Sequence, residues 1–150
     1  MSLSFVPTGV DSPDAVILLS ELNDTLVGIL GHNGTAHVCL SDFSGEKAFF
    51  LVGYDDGTPV CCAGVRRMDS ATGEVKRVYA RKNHKGIGAA LMDAVEEQAR
   101  SIGYGRLVLE CREGNGHAIE FYKKVGYTVC DKYPPYWDEA DAVCLEKSLK

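Results

Sequence analysis

The chain has 150 residues, 45% of them hydrophobic and 25% charged, with a formal net charge of −5. These proportions exclude a disordered or fibrous protein and predict one domain over residues 1–150, large enough to bury roughly 68–70% of the surface its unfolded form exposes. The acidic balance argues against a nucleic-acid partner, whose phosphates call for clustered Lys and Arg. No stretch reaches the ~18 uninterrupted apolar residues of a membrane span. The opening "MSLSFVPTGVDSPD" lacks the basic region and apolar run of a signal peptide, so a cytoplasmic protein with no membrane partner is expected.

Ser12 stands as an N-cap and Pro13 at the first helical position, ahead of Ala15, Leu18, Leu19, Leu22, Leu26, Ile29 and Leu30 at helical spacing. This predicts a long amphipathic helix that Gly31 and the polar run to Gly34 would end. "KAFFLVGY" and "PVCCAGVRRM" flank "DDGT", whose Asp-Gly pair predicts an antiparallel hairpin. After the polar turn "DSATG", "EVKRVYA" alternates Val75, Arg77 and Tyr79 with Glu74, Lys76 and Val78 as a third strand. Ile87, Leu91, Ala94, Val95, Ala99 and Ile102 then predict a helix over about residues 86–102, stopped at Gly103. "RLVLEC" follows as an almost continuously apolar strand suited to parallel pairing, which makes strand, helix and strand a right-handed crossover.

"GNGHAIEFYKKVGY" predicts a short helix closed by Gly126, with Ala118, Phe121 and Val125 on one face and Phe121 the core residue by that periodicity. "YTVC" and "AVCLEKSL" are two further strands. Between them, "DKYPPYWDEAD" carries two prolines and three large aromatics, an irregular loop that either lines a cleft or plugs the end of the core. Tyr133, Tyr136 and Trp137 are its candidate substrate-lining residues. The order of elements predicts a mixed α/β sheet. Six cysteines, at 39, 61, 62, 111, 130 and 144, show no CxxC spacing and read as buried structural thiols. The four histidines lack ligand spacing, so no metal site is expected.

The chemistry concentrates in "NHKGIGAAL". A strand ending in a glycine-bearing turn that feeds a helix leaves main-chain N–H groups without partners, and the helix dipole adds to them, so the turn is a ready anion site. Gly86 and Gly88 let the backbone approach a ligand, or else simply ease the chain into the helix. Lys76, Arg77, Arg81, Lys82 and Lys85 crowd into ten residues beside it, and His84 adds a donor. The physical reading is a diphosphate cradle. No GxxxxGK[ST] string exists, and Leu91 occupies the third glycine's place of a dinucleotide fingerprint, although Glu110 falls at about the right distance downstream.

"EVKRVYARKNHKGIGAALMDAVEEQARSIGYGRLVLECREGNGHAIEFYKKVGY", residues 74–127, resembles the acetyl-CoA-binding core of the GNAT superfamily of N-acetyltransferases. A turn of pattern [QR]-x-x-G-x-[GA] falls on "NHKGIG", and N-x-x-A-x-x-x-Y on the next helix is matched by Asn115, Ala118 and Tyr122. Asn83 stands where the family usually has Arg or Gln, and the segment leading to the turn is about two residues shorter than usual; Lys82 or Arg81 is expected to supply the lost charge. "ECREGNGHAIEFYKKVGYTV" and "CLEKSL" further resemble a bacterial subgroup of the family.

The resemblance implies a GNAT-like mixed, mainly antiparallel sheet with a central crossover and helices on both faces. It implies acetyl-CoA as co-substrate, no metal, and direct transfer of acetyl to a primary amine of a small molecule or an amino terminus, by a monomer or homodimer. The amides of Lys85, Gly86, Ile87, Gly88 and Ala89 would hold the diphosphate beside Asn83 and His84. Main-chain groups of Val78, Tyr79 and Ala80 would pair with the pantetheine arm and polarise the acetyl carbonyl. Tyr122 matches the general acid for the departing thiolate, or is an ordinary core aromatic. Asn115 would contact the cofactor or merely cap its helix. Glu74, placed by strand alternation on the side of Val78, is the first candidate base and Glu110 the second; either is equally readable as an ion-pair partner. A non-catalytic acyl-CoA-binding module and a dinucleotide-binding domain are the alternatives.

Overall fold

The computed structural model describes residues 2–35, 37–81 and 86–150. In chain order these form β1 (Leu3–Pro7), α1 (Pro13–Leu30), a 3-10 turn (Leu40–Phe43), β2 (Phe49–Asp55), β3 (Thr58–Arg67), β4 (Thr72–Ala80), α2 (Ile87–Ser101), β5 (Arg106–Arg112), α3 (Gly116–Lys124), β6 (Thr128–Val129) and β7 (Ala142–Ser148). Among the described residues, seven strands make one sheet in the order β1-β2-β3-β4-β5-β7-β6. Every neighbouring pair is antiparallel except β4 and β5, which run parallel on either side of the α2 crossover.

Local chemistry accounts for the helix ends. The Ser12 side chain accepts from the Ala15 N–H, Pro13 occupies the first turn, and Gly31 closes α1 at φ 81°, donating its N–H to the Val27 carbonyl. The β2–β3 hairpin turns at Asp56 and Gly57, both at positive φ, as the Asp-Gly pair predicts.

Each face of the sheet carries its own core. Leu51, Cys61, Ala63 and Val75 point toward α2 and α3, packing on Ile87, Leu91, Val95 and Tyr122. The alternate residues Phe50, Val52 and Cys62 point the other way, onto Ala15 and Leu18 of α1 and Phe43 of the 3-10 turn. Helices therefore cover both faces, as expected.

Two expectations need correction. β1 is absent from the sequence reading: only five residues long and half exposed, it exists because β2 offers an open edge some fifty residues away, a pairing that no local pattern announces. The cysteines divide, with Cys61, Cys62, Cys111 and Cys144 buried, Cys130 intermediate and Cys39 exposed. Burial pushes the thiols of Cys61, Cys62 and Cys111 up to about 12, consistent with inert packing residues. No described helix is long and apolar enough to cross a membrane.

Candidate active site

The cleft begins where β4 and β5 part. Their parallel pairing runs only through Thr72↔Arg106, Gly73↔Leu107 and Glu74↔Val108, while β4 continues to Ala80 and β5 to Arg112. A bulge bends β4 just beyond that point. Register with β3 passes from Cys62↔Tyr79 to Gly64↔Lys76, so Arg77 and Val78 together oppose Ala63, and Arg77 takes φ 57°. Between the diverging strands lies a cleft of about 1240 Å³, bounded by the start of α2 and by α3 on one face of the sheet and by the C-terminal half of α1 on the other.

At the start of α2, Gly86 is the N-cap at φ 81°, a conformation any side chain would strain. The Ala90 N–H makes the first helical bond, to the Gly86 carbonyl at 3.0 Å. The amides of Ile87, Gly88 and Ala89 thus have no partner within the helix, and Gly86 and Gly88 line the cleft. The side chain of Ile87 is buried in the core and Ala89 is exposed, so only their main chains can serve a ligand. At Gly88 a Cβ would sit 3.1 Å from the Phe121 ring, so the glycine also makes room for α3. Asn83, His84, Lys85 and Lys82 lie outside the described residues.

Of the expected basic cluster, Lys76, Arg77 and Arg81 are described, and each is held by a partner outside it. Arg81 donates Nη2 to Glu21 Oε2 at 2.7 Å and Nε to Glu21 Oε1 at 2.9 Å, and its third bond goes to the Pro59 carbonyl, so its charge is paired with Glu21 of α1. Lys76 and Arg77 turn to the α1 side, toward Tyr136 and Asn23 respectively.

On β4, the Arg81 N–H bonds the Val60 carbonyl at 2.9 Å. Because main-chain groups alternate along a strand, Tyr79 spends its pair on Cys62 of β3, while Val78 and Ala80 turn theirs to the cleft. Tyr79 is therefore no main-chain ligand; its hydroxyl donates to Glu21 at 3.0 Å on the α1 side. Tyr122 reaches the same cleft from α3, 8% exposed, its ring edge-on to Phe121 and Tyr127. Burial holds its phenol well above the ordinary value. Phe121, marked as the core residue by helical spacing, is the less buried of the two and also lines the cleft. Asn115 caps α3 through its Oδ1, which accepts from the Ala118 N–H at 3.4 Å, and also borders the cleft.

The two carboxylates differ sharply. The bulge at Arg77 breaks the alternation that would put Glu74 on the side of Val78. Glu74 points to the α1 face and Val78 packs on the α2 core. Glu74 is fully buried and saturated: Arg66 Nε donates to Oε1 at 2.6 Å, and Tyr133 and Tyr136 hydroxyls donate to Oε2 at 2.7 and 3.2 Å. Replacing it by alanine is expected to lower the unfolding free energy by about 3 kcal/mol, the low end for a broken buried pair because Asp42 stays on Arg66. Urea denaturation at pH 7 would read this as a lower midpoint at unchanged slope, and a wild-type midpoint would refute the structural role.

Glu110, by contrast, lines the cleft. Arg112 Nε lies 2.8 Å from its Oε2 but out of line for a hydrogen bond, so the oxygen keeps acceptor capacity. Burial holds this carboxyl above the usual carboxylate range, against the pull of Arg112 and Lys76.

In the aromatic loop, Tyr136 is fully buried and borders the cleft, accepting from Lys76 Nζ at 2.5 Å. Tyr133 stands behind it, edge-on at 5.3 Å, outside the cleft lining. Trp137 is 65% exposed and bonds the Lys132 carbonyl, away from the cleft, which overturns its place among the lining residues. The loop thus both plugs and lines. Arg66, Arg112 and His37 are polar residues around Glu74 and Glu110 that sequence reasoning missed, and Lys76, read there as part of a phosphate patch, joins them. For Arg66 a signal existed, since counting outward from the turn after β3 sets it opposite Glu74.

The sequence pattern of the family described as "Acetyltransferase (GNAT) family" matches residues 32–127. An "IAA acetyltransferase" of Azospirillum brasilense is 30% identical over 91% of this chain and 92% of its own. A GNAT-family acetyltransferase of Staphylococcus aureus superposes with TM-score 0.80 at 14% identity, covering 99% of this chain and 100% of that one. A PaiA N-acetyltransferase of Thermoplasma acidophilum, solved with coenzyme A, superposes with TM-score 0.75 at 16% identity over 99% of both chains.

Proposed function

The chain belongs to the acetyltransferase (GNAT) family, and on that premise we propose that it transfers acetyl from acetyl-CoA directly to a primary amine of a small molecule or an amino terminus. One observation carries this reading. A single cleft passes through the sheet from the α2 amides that have no partner within the helix, past the outward main-chain groups of Val78 and Ala80, to Tyr122 on one face and Glu110 on the other. Donor and acceptor can therefore enter from opposite faces and meet where β4 and β5 part.

In this scheme the amides of Ile87, Gly88 and Ala89, with the helix dipole behind them, hold the diphosphate. Val78 and Ala80 pair with the pantetheine arm, and their N–H groups polarise the acetyl carbonyl. Glu110 takes a proton from the acceptor's ammonium, and the freed amine attacks the thioester carbon. The C–N bond forms, the C–S bond breaks, Tyr122 gives its proton to the departing sulfur, and the second proton shed by the new amide nitrogen returns through solvent to the phenolate. Burial keeps the Tyr122 phenol protonated and so able to donate. The diagnostic experiment is thiol release from acetyl-CoA across a panel of primary amines. Amine-dependent release supports the proposal; tight CoA binding with no release by any amine reduces the protein to an acyl-CoA-binding module.

A further inference from the structure

The cations around the cleft are not alike. Arg112 meets Glu110, Glu139 and Asp141, and Arg81 meets Glu21. The Lys76 ammonium rests on the Tyr136 hydroxyl, with Glu74 and Glu110 close enough to pull on its charge. Arg77 is different. It donates Nη1 to the Asn33 carbonyl at 3.1 Å and Nη2 to Asn23 Oδ1, both neutral, and among the described residues no carboxylate lies within ion-pair distance. A half-buried guanidinium bordering a cleft with neutral partners alone is a costly arrangement that an anion would offset. Burial indeed pulls its pKa down.

The backbone is arranged around this residue. Arg77 sits at the bulge with φ 57°, a conformation side-chain-bearing residues rarely adopt, and the bulge aims it at α1 beside the main chain of Val78. Apolar side chains of α1 line the cleft with it. At Gly34, a Cβ would stand 2.9 Å from Leu26 Cδ1 and 3.5 Å from Arg77 Nη1, so leucine and guanidinium converge on one spot. Leu22, Ile29 and Leu30 continue that apolar wall.

We propose that Arg77 anchors a carboxylate on the acceptor, so that the preferred substrates are primary amines with an apolar body and a carboxylate group. This rests on the acetyltransferase reading above. A planar guanidinium fork matches a carboxylate, whereas a phosphate ester would call for further free cations.

The test compares matched pairs, leucine with 3-methylbutylamine and 6-aminohexanoate with hexylamine, in wild type, Arg77→Gln and Arg77→Lys. In wild type the carboxylate-bearing member of at least one pair should have a kcat/KM about 10- to 100-fold higher, the range for a charged hydrogen bond. Arg77→Gln should bring that ratio near one through KM, and Arg77→Lys, which keeps the charge without the fork, should fall between. Equal rates within both pairs, or a ratio untouched by Arg77→Gln, overturns the proposal. If no amine is acetylated, the acetyltransferase reading fails separately. Arg77 is then judged by binding: 4-methylpentanoate should raise the Tm of CoA-loaded wild type but not of Arg77→Gln or Arg77→Lys to the same extent, and no shift in wild type overturns it.

Discussion

Replacing Tyr122 by phenylalanine is expected to slow kcat by about 10²- to 10⁴-fold, the range for a positioned proton donor, while CoA affinity and the unfolding midpoint stay near wild type. The ring makes its packing contacts edge-on with Phe121 and Tyr127, and phenylalanine preserves both. What disappears is the hydroxyl. Because burial holds the phenol well above its ordinary pKa, it stays protonated throughout the working range and always has a proton to give. The alkaline limb of the rate profile therefore should not come from Tyr122. Single-turnover thiol release, with calorimetric titration of CoA, separates the outcomes: an unchanged kcat would return Tyr122 to the hydrophobic core, and a matching loss of CoA affinity would make it a cofactor contact.

The second large effect belongs to Glu110. Glu110→Gln is expected to cost about 10²-fold or more in kcat and to remove the acidic limb of the pH–rate profile. A base works only when deprotonated, so activity should fall as pH drops through the Glu110 pKa. Burial has raised that pKa, which places the limb above the range of an exposed carboxylate. Glu74→Gln is the contrast. It should destabilise the fold yet keep the limb, because Glu74 is locked between Arg66 and two tyrosines outside the cleft lining. A limb that survives Glu110→Gln and vanishes in Glu74→Gln would reverse the two assignments.

Glu74 also marks how far a sequence can be read. Both carboxylates were visible as charges in apolar strands, and the ranking between them depended on counting alternate residues from Glu74 to Val78. One extra residue in β4, opposite Ala63, inverts that count. The same bulge turns Arg77 from the presumed phosphate patch toward the α1 side of the cleft. Arg81 left the patch for another reason, since its partner Glu21 lies sixty residues earlier on α1. The aromatic loop was recognisable as such, but whether Tyr136 or Trp137 faced inward depended on Lys76 and Glu74 waiting beneath it.

The helices, the Asp-Gly hairpin and the crossover were determined by the sequence itself, because caps, turn residues and periodicity act between neighbours a few positions apart. The glycine at the start of α2 and the Asn, Ala and Tyr spacing of α3 were legible on the same terms, which is why these two helix starts could be singled out. Only the tertiary structure decided the β1 edge pairing, the parting of β4 from β5, the burial of Glu74 and the neutral hydrogen-bond partners of Arg77. Each of these depends on which distant side chain arrives to neutralise, cover or register a group, and a strand's alternation contains no record of where it will be broken.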